Sequence, residues 1–402
     1  MGAGHSMSDV AMTDGVLVSL DRMRSVVGVD PTQLRVTVQS GIRLHELVAV
    51  LASRGLALSI LGSIATQSLA GAISTGTHGS SLQHRNLAGL VRALRLVTAE
   101  GAVLALDESD ERLSAARVGL GALGVITEVT LQCEPLFCLA EQTQRVSIEP
   151  MLRERLVRDL EALARAAEYV KIFWLPMLPF AQVYRCQRTD EPITASAIWR
   201  RFDEAVVNRL LFTALLDVTR RWPGSTFSIN RLVGAAYFRR SRRVGRYDQV
   251  LTLPMPPVHR EMEYAIALEQ APEALDTVRM LFERRRLRVN FVLEVRFARG
   301  DDAWMSPAHG RDTCHIGAYM AESADIEEYF TAFEEIMQGL GGRPHWGKEH
   351  NVTPEYVRAV WPMADRFAEL RRQLDPRGLF DNACLRRALA HVHPATGNAS
   401  LS

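Results

Sequence analysis

Residues 62–81 read GSIATQSLAGAISTGTHGSS, a run with no Asp, Glu, Lys or Arg, built mostly from Gly, Ala, Ser and Thr. It has no amphipathic period, so it reads as a loop rather than a packed helix. Small residues let a backbone press against a ligand, and free N–H groups and hydroxyls hold phosphate oxygens. No Gly-Lys-Ser/Thr follows, so it is not a Walker loop. No GxGxxG joins a strand to a helix, so it is not a Rossmann fingerprint. The plain reading is a tight interior loop. The length of the compositional bias favours a cofactor-binding loop.

Outward from this loop, residues 1–135 read as β-rich with short helices. RVTVQSG alternates from Arg35 as a half-buried strand. RLHELVAVLASRG has helical spacing and stops at Gly55, a C-cap. ALRLVTAEGAVLAL suits a hairpin turning at Glu100-Gly101, and GVITEVTLQC another strand. From 136 to 344 strands and helices alternate. IEPMLRERLVRDLEALARAAEYV predicts one long helix, EMEYAIAL a strand, PEALDTVRMLFERRRL a helix with Pro272 in its first turn, and VNFVLEVRFARG a strand. This order predicts an α+β layer of its own. The stretch around 190–250 is irregular, and FRRSRRVGR (Phe238 to Arg246) reads as a solvated charge run, with a phosphate or anionic-lipid contact as the minority reading. Residues 345–393 form a C-terminal segment, and 394–402 read as a disordered tail.

The chain has 402 residues and a formal net charge of +1. That length predicts two or three domains, and the charge gives no push toward nucleic acid. The five cysteines, Cys133, Cys138, Cys186, Cys314 and Cys384, form no CxxC pair. A disulfide framework is therefore not expected, and a reducing, cytoplasmic setting is. The first residues show no basic-then-apolar pattern, so a signal peptide is not expected from them. AVVNRLLFTALLDV, from Ala205, is too short and too polar to span a membrane and reads as a core or cap helix, with peripheral membrane contact as the alternative. Basic residues are almost all arginine; the lysines are Lys171 and Lys348.

Three further stretches carry possible chemistry. In LEVRF, residues two apart on a strand share a face, so Glu294 and Arg296 project together. Such a pair holds a polyhydroxylated ligand or is a structural ion pair. GGRPHWGKEHN gathers His345, Trp346, Lys348 and His350 beside a Gly-Gly turn. It lacks a cysteine or carboxylate pair at metal spacing, so no metal site is expected; a wall for a flat electron-accepting ring and a bland loop stay open. At the chain start, His5 lies between Gly4 and Ser6.

Taken together these pieces resemble the aldonolactone oxidases and dehydrogenases of the vanillyl-alcohol-oxidase flavoproteins. GAGHSMSDVAMTDG resembles their flavin-linked histidine motif and residues 62–81 their FAD-binding loop. VGLGALGVITEVTLQ, MEYAI, EVRF, GRDTC, GGRPHWGK and LDPRGLF resemble further family motifs, in the family's order. The resemblance implies a PCMH-type FAD-binding domain over 1–135, an α+β substrate (cap) domain over 136–344, and a C-terminal segment returning to the flavin. It implies a covalent bond from His5 to FAD. It implies FAD contacts at Gly4, Ser6, Gly62, Ser63, Thr66, Gly71, Ala72, Ser74, Gly76, His78, Gly79 and Ile126. Glu294, Arg296 and Lys348 would be catalytic, with Ser80 and His345 joining Glu294 and Arg296 on the substrate; Thr77 is a candidate oxygen gate. The implied reaction oxidises the C2 hydroxyl of a sugar-acid 1,4-lactone to an ascorbate-like product, with oxygen or another electron acceptor as oxidant. An alditol oxidase is the alternative. Family members carry a further subdomain before the Gly-X-Gly-His motif, so the FAD-binding domain is expected to be N-terminally incomplete, through a misplaced start or a truncation. A FAD-poor, non-catalytic protein is the corresponding alternative.

Overall fold

The computed structural model describes residues 2–148, 157–194, 211–253, 258–321, 323 and 325–389. The strands of the first half are β1 (Val26–Asp30), β2 (Arg35–Gln39), β3 (Leu56–Ala57), β4 (Val91–Val97), β5 (Val103–Asp107), β6 (Val125–Gln132) and β7 (Glu134–Pro135). Five of them form an antiparallel sheet in the order β1-β2-β6-β4-β5, and β3 pairs with β7. The alternation read in RVTVQSG holds: Val36 and Val38 are fully buried while their neighbours are half-exposed. The predicted hairpin joins β4 to β5, with Gly101 at φ +81° in its turn. The predicted helix runs Leu44–Ala52, and Gly55 at φ +70° closes the turn after it.

The second sheet has eight strands: β8 (Cys138–Ser147), β9 (Tyr169–Trp174), β10 (Phe180–Thr189), β11 (Ser241–Arg246), β12 (Arg260–Ala267), β13 (Leu293–Ala298), β14 (Thr313–Met320) and β15 (Arg343–Pro344). Their order is β11-β8-β10-β9-β13-β14-β12-β15, and every pairing is antiparallel. One face carries Ile172, Val295, Phe297, Ile316 and Tyr264. It packs with residues of the helices Ala271–Arg285 and Ile326–Gly339, among them Leu275, Phe282 and Phe333. By the period of two, the opposite face carries Lys171, Glu294, Arg296, His315, Tyr319, Glu261 and Glu263. Most of these are buried too, so this is a sheet covered on both sides, apolar on one and ionic on the other.

The fold is the mixed helix-and-strand class expected, with three local differences. Residues 62–81 contain a short helix, Leu69–Ser74, whose N-cap is Ser68. The long predicted helix ends at Ala164, and its last residues, Tyr169 and Val170, begin β9; residues 149–156 lie outside the described residues. Tertiary pairing decides that end, because the Val170 N–H donates to the Ser80 carbonyl at 3.1 Å. The arginine run is an edge strand rather than merely a solvated stretch. Arg243 pairs with Glu141 at 2.8 Å and Arg242 with Glu191 at 2.5 Å, while Arg239 and Arg240 stay exposed. The apolar run from Ala205 forms the helix Thr213–Arg221 in its described part. Among the described residues, no helix is long and apolar enough to cross a membrane. The tail at 394–402 lies outside the described residues.

The first core takes in residues from beyond the second sheet: Trp346, Trp361 and Phe367 are buried in it with Leu44, Leu94 and Val129. Trp346 and Trp361 stack at 4.9 Å. The C-terminal segment thus ties the two sheets together. The closest backbone approach in the loop is at Gly79, where a Cβ would lie 2.6 Å from the Leu61 carbonyl oxygen and 2.5 Å from Ile60 Cδ1. Gly79→Ala is expected to lower stability by about 1–3 kcal/mol through overpacking. Gly28→Ala, whose Cβ meets nothing within 4 Å, is expected to stay within about 0.5 kcal/mol of the parent. Equal melting temperatures for the two variants would contradict the close approach.

Candidate active site

The loop 62–81 is laid against the ionic face of the eight-stranded sheet. A Cβ on Gly62 would meet Thr77 Cγ2 at 2.8 Å, so the loop's two limbs touch backbone to side chain. Ser80 Oγ donates to the Val170 carbonyl and accepts from the Phe297 N–H at 3.0 Å. Ser81 Oγ donates to the Glu168 carbonyl at 2.5 Å. The Ser80 hydroxyl, implied as a substrate contact, is therefore spent clamping the loop to β9 and β13, although Ser80 still lines the cleft. Thr66 and Gly71 are exposed, Ser63 and Ser74 half-buried, and Ala72 and Gly76 buried. The Ile126 carbonyl accepts from Ser40 Oγ at 2.5 Å.

The chain start docks on the far loop. The Met7 N–H donates to the Gly347 carbonyl at 2.8 Å, and Ser8 Oγ donates to the Trp346 carbonyl at 2.6 Å. Gly4 sits at φ +65°, a left-handed turn that favours glycine, and Ser6 is exposed. Burial, then the charge of Lys348, lowers His5 to about 4. Lys348 Nζ pairs with Glu261 in β12. Burial opposes ionisation of Glu261, yet Lys348 and the His259 ring, 3.8 Å away, hold it at about 2. His5, Lys348, Glu261 and His259 form one electrostatic group.

Beside it stands the LEVRF pair. Arg296 Nη2 donates to Glu294 Oε2, which also accepts from the Tyr319 hydroxyl at 2.8 Å. Burial works against the charge on Arg296, but the Glu294 carboxylate holds it well above its ordinary value. Tyr319 is raised well above its ordinary value by burial and by the carboxylates of Glu261 and Glu294.

A third group closes the row. His78 Nδ1 lies 2.8 Å from the Gly79 carbonyl and Nε2 lies 2.7 Å from Glu263 Oε1. Both ring nitrogens face acceptor oxygens. Burial opposes the charge on Glu263, but His78 keeps it well below the usual carboxylate range. His315 stacks on His78 at 3.7 Å and puts Nδ1 3.3 Å from the same oxygen. His345 accepts from the Gly347 N–H at Nδ1, 3.1 Å away. The His78, Glu263 and His315 ligand atoms lie within 4.8 Å of one another. The two rings are stacked rather than splayed tetrahedrally around one point, which is the geometry of a hydrogen-bonded network, not of a zinc site.

The sequence reading found Glu294, Arg296, Lys348, His78, His345 and His5, and the structure brings them to one region. It missed Glu261, Glu263, His315 and Tyr319. The signal was available: Glu261 and Glu263 in EMEY, and His315 and Tyr319 in HIGAY, repeat the period of two that singled out LEVRF.

A flavin fits this surface on one observation of its buried polar atoms. Glu261 Oε1, Glu294 Oε1, Arg296 Nε and His315 Nε2 are buried without a partner in the protein, all on the ionic face. Buried polar atoms left so are costly unless a ligand completes them. Residues 1–107 match the FAD-binding domain family. The fold agrees: a cholesterol oxidase from B. sterolicum superposes with a TM-score of 0.79 over 96% of this chain and 88% of its own, at 15% identity. The molecule is a FAD-binding oxidoreductase of the vanillyl-alcohol-oxidase, PCMH-type fold.

Residues 129–388 match the D-arabinono-1,4-lactone oxidase family, and the chain belongs to it. L-gulono-1,4-lactone dehydrogenase of Mycobacterium tuberculosis is 39% identical over 97% of this chain and 89% of its own length. L-gulonolactone oxidase of Bos taurus is 35% identical over 96% and 88%. Alditol oxidase of a Streptomyces species is 33% identical over 96% and 89%.

Burial sets the acid stability of this site. His5, His315 and His350 are lowered to about 4 and His345 to about 3, each chiefly by desolvation. Unfolded, these rings bind a proton near pH 6.5. Their contribution is therefore complete above that pH and is lost as pH falls from about 6.5 through 4. The melting temperature is expected to drop steadily across that window. A flat profile between pH 6.5 and 4.5 would contradict the buried neutral histidines.

Proposed function

We propose that the protein oxidises the C2 hydroxyl of an aldono-1,4-lactone, of the L-gulono or D-arabinono type, to a 2-keto lactone that tautomerises to an ascorbate-like ene-diol. The observation that carries this is the buried Glu294–Arg296–Tyr319 group with Glu294 Oε1 and Arg296 Nε left without protein partners. FAD, when bound, supplies the hydride acceptor and passes the electrons to oxygen or another oxidant. Glu294 Oε1 accepts the hydrogen bond of the reacting hydroxyl, orients it, and helps take its proton. Arg296 and Lys348 are fixed in advance by Glu294 and Glu261. They stabilise negative charge as it develops, and such preorganised charges need no rearrangement at the moment of reaction. His345 bounds the far end of the substrate. In this reading 1–135 hold the cofactor, 136–344 supply the ionic face, and 345–393 bring Lys348 back to it.

His5 is the proposed covalent anchor. Its lowered pKa keeps the imidazole neutral at physiological pH, the form with a lone pair able to bond carbon. We place the protein in the cytoplasm, where the five free cysteines stay reduced. The second reading is an alditol oxidase, favoured by the Streptomyces relative of that name at 33% identity.

Purified protein is expected to be yellow, with colour that stays on the polypeptide after acid precipitation and is released by acid in His5→Ala. Flavin freed by acid from the parent would exclude the His5 bond. L-gulono-1,4-lactone is expected to bleach the flavin anaerobically and xylitol much less; the reverse order would favour the polyol reading. The paired variant Glu294→Gln/Arg296→Gln leaves no lone buried charge, so it is expected to keep fold and flavin. Its turnover should fall by about a hundredfold or more. Near-parent turnover would remove both residues from the chemistry.

A further inference from the structure

Lys171 is one of the chain's two lysines, and the reaction outlined above gives it no part. It lies in β9, the strand beside β13. The register pairs Glu294 with Phe173 and Val295 with Ile172, so one step further Lys171 stands opposite Arg296 on the ionic face. Both residues line a narrow cleft of about 30 Å³ together with Ser63, Gly79, Ser80 and Tyr184.

Two cations facing each other across neighbouring strands repel, the more so away from water. Glu294 does not neutralise both, because its Oε2 is committed to Arg296 and Tyr319. Among the described residues, no carboxylate forms an ion pair with Lys171. Its ammonium instead lies over the rings of Phe173, at 5.2 Å, and Tyr184, at 5.0 Å. Aromatic faces hold an ammonium in place while leaving its three N–H donors unspent. The cleft therefore has one cation more than its own carboxylates match, with donors in place.

We propose that Lys171 binds the C1 carbonyl oxygen of the substrate, next to the reacting C2, and so selects lactones over polyols. This rests on the lactone-oxidation reading. With the C2 hydroxyl at Glu294 and Arg296, the adjacent carbonyl falls toward the neighbouring strand, which runs about 4.8 Å away. A carbonyl oxygen is a pure acceptor and suits an ammonium. The hydroxyl that a polyol carries there also accepts from the ammonium, but its own hydrogen must then find a second acceptor, a demand the carbonyl does not make. Lys171 is thus a specificity-determining residue one strand removed from the residues proposed to act on C2.

The test compares the parent, Lys171→Met and Lys171→Arg with two probes, L-gulono-1,4-lactone and xylitol, each as substrate or as inhibitor. Lys171→Met is expected to lose about 10- to 100-fold in kcat/KM for the lactone, the size of one hydrogen bond to a charged group, with xylitol changed by less than about threefold. Lys171→Arg is expected to keep most of the preference for lactone. The flavin absorption spectrum and reduction potential should not move. Lys171→Gln, which keeps a donor without the charge, serves if the Met variant melts early. Equal losses on both probes, or an unchanged lactone preference in Lys171→Met, would overturn the assignment. A shifted flavin potential would also overturn it, placing the lysine on the cofactor. A parent enzyme that lactone does not bleach overturns the activity reading and this one together. A bleached parent with an unaltered Lys171→Met preference overturns this one alone.

Discussion

The hydroxyls of Ser80 and Ser81 sew the glycine-rich loop to the middle of the eight-stranded sheet, and the site exists because of that seam. Ser80 bonds to both β9 and β13, and the Ser81 N–H donates to the Phe297 carbonyl at 2.7 Å. The loop's backbone groups are thereby satisfied by the sheet they cover, as buried backbone requires. Only glycine at 79 permits the approach, because its missing side chain is where the Leu61 carbonyl and Ile60 sit. The seam brings a backbone rich in small residues over a row of ionised side chains, the juxtaposition a flavin and a polyhydroxylated substrate both need.

The ionic face is held by matched pairs. Glu294 meets Arg296, Glu261 meets Lys348, and Glu263 meets His78, all buried or nearly so. Pairs of this kind add little net stability, because desolvation cancels most of the attraction. Their effect is to fix charges in position before a ligand arrives. Two of the three pairs also leave atoms over: Glu294 Oε1, Arg296 Nε and Glu261 Oε1 have no partner in the protein. The apolar face of the same sheet, packed on its helices, supplies the stability that makes such a face tolerable.

Much of the fold was legible locally. The alternation in RVTVQSG, the Glu100-Gly101 turn and the helix opening near Pro272 each follow from period or turn chemistry, and each is where the structure puts it. The end of the helix before β9 was not legible. Tyr169 and Val170 continue a helical pattern in sequence, but bonds from Ser80 pull them into the sheet. The arginine run at β11 misled in the same way, since its partners Glu141 and Glu191 lie far off along the chain.

For the site, the sequence by itself determined the pairs that one strand can encode. Glu294 and Arg296 share a face because a strand repeats every two residues, and the small-residue bias of 62–81 marks a backbone made for close approach. It did not determine which strands are neighbours. The antiparallel register sets Lys171, Arg296 and His315 in one row and brings Glu263 alongside, and that register is settled by long-range pairing rather than by local pattern. The tertiary structure likewise decided that His5, near the chain start, feels the charge of Lys348, far along the chain, because the Met7 and Ser8 bonds to the Trp346–Gly347 backbone close that distance.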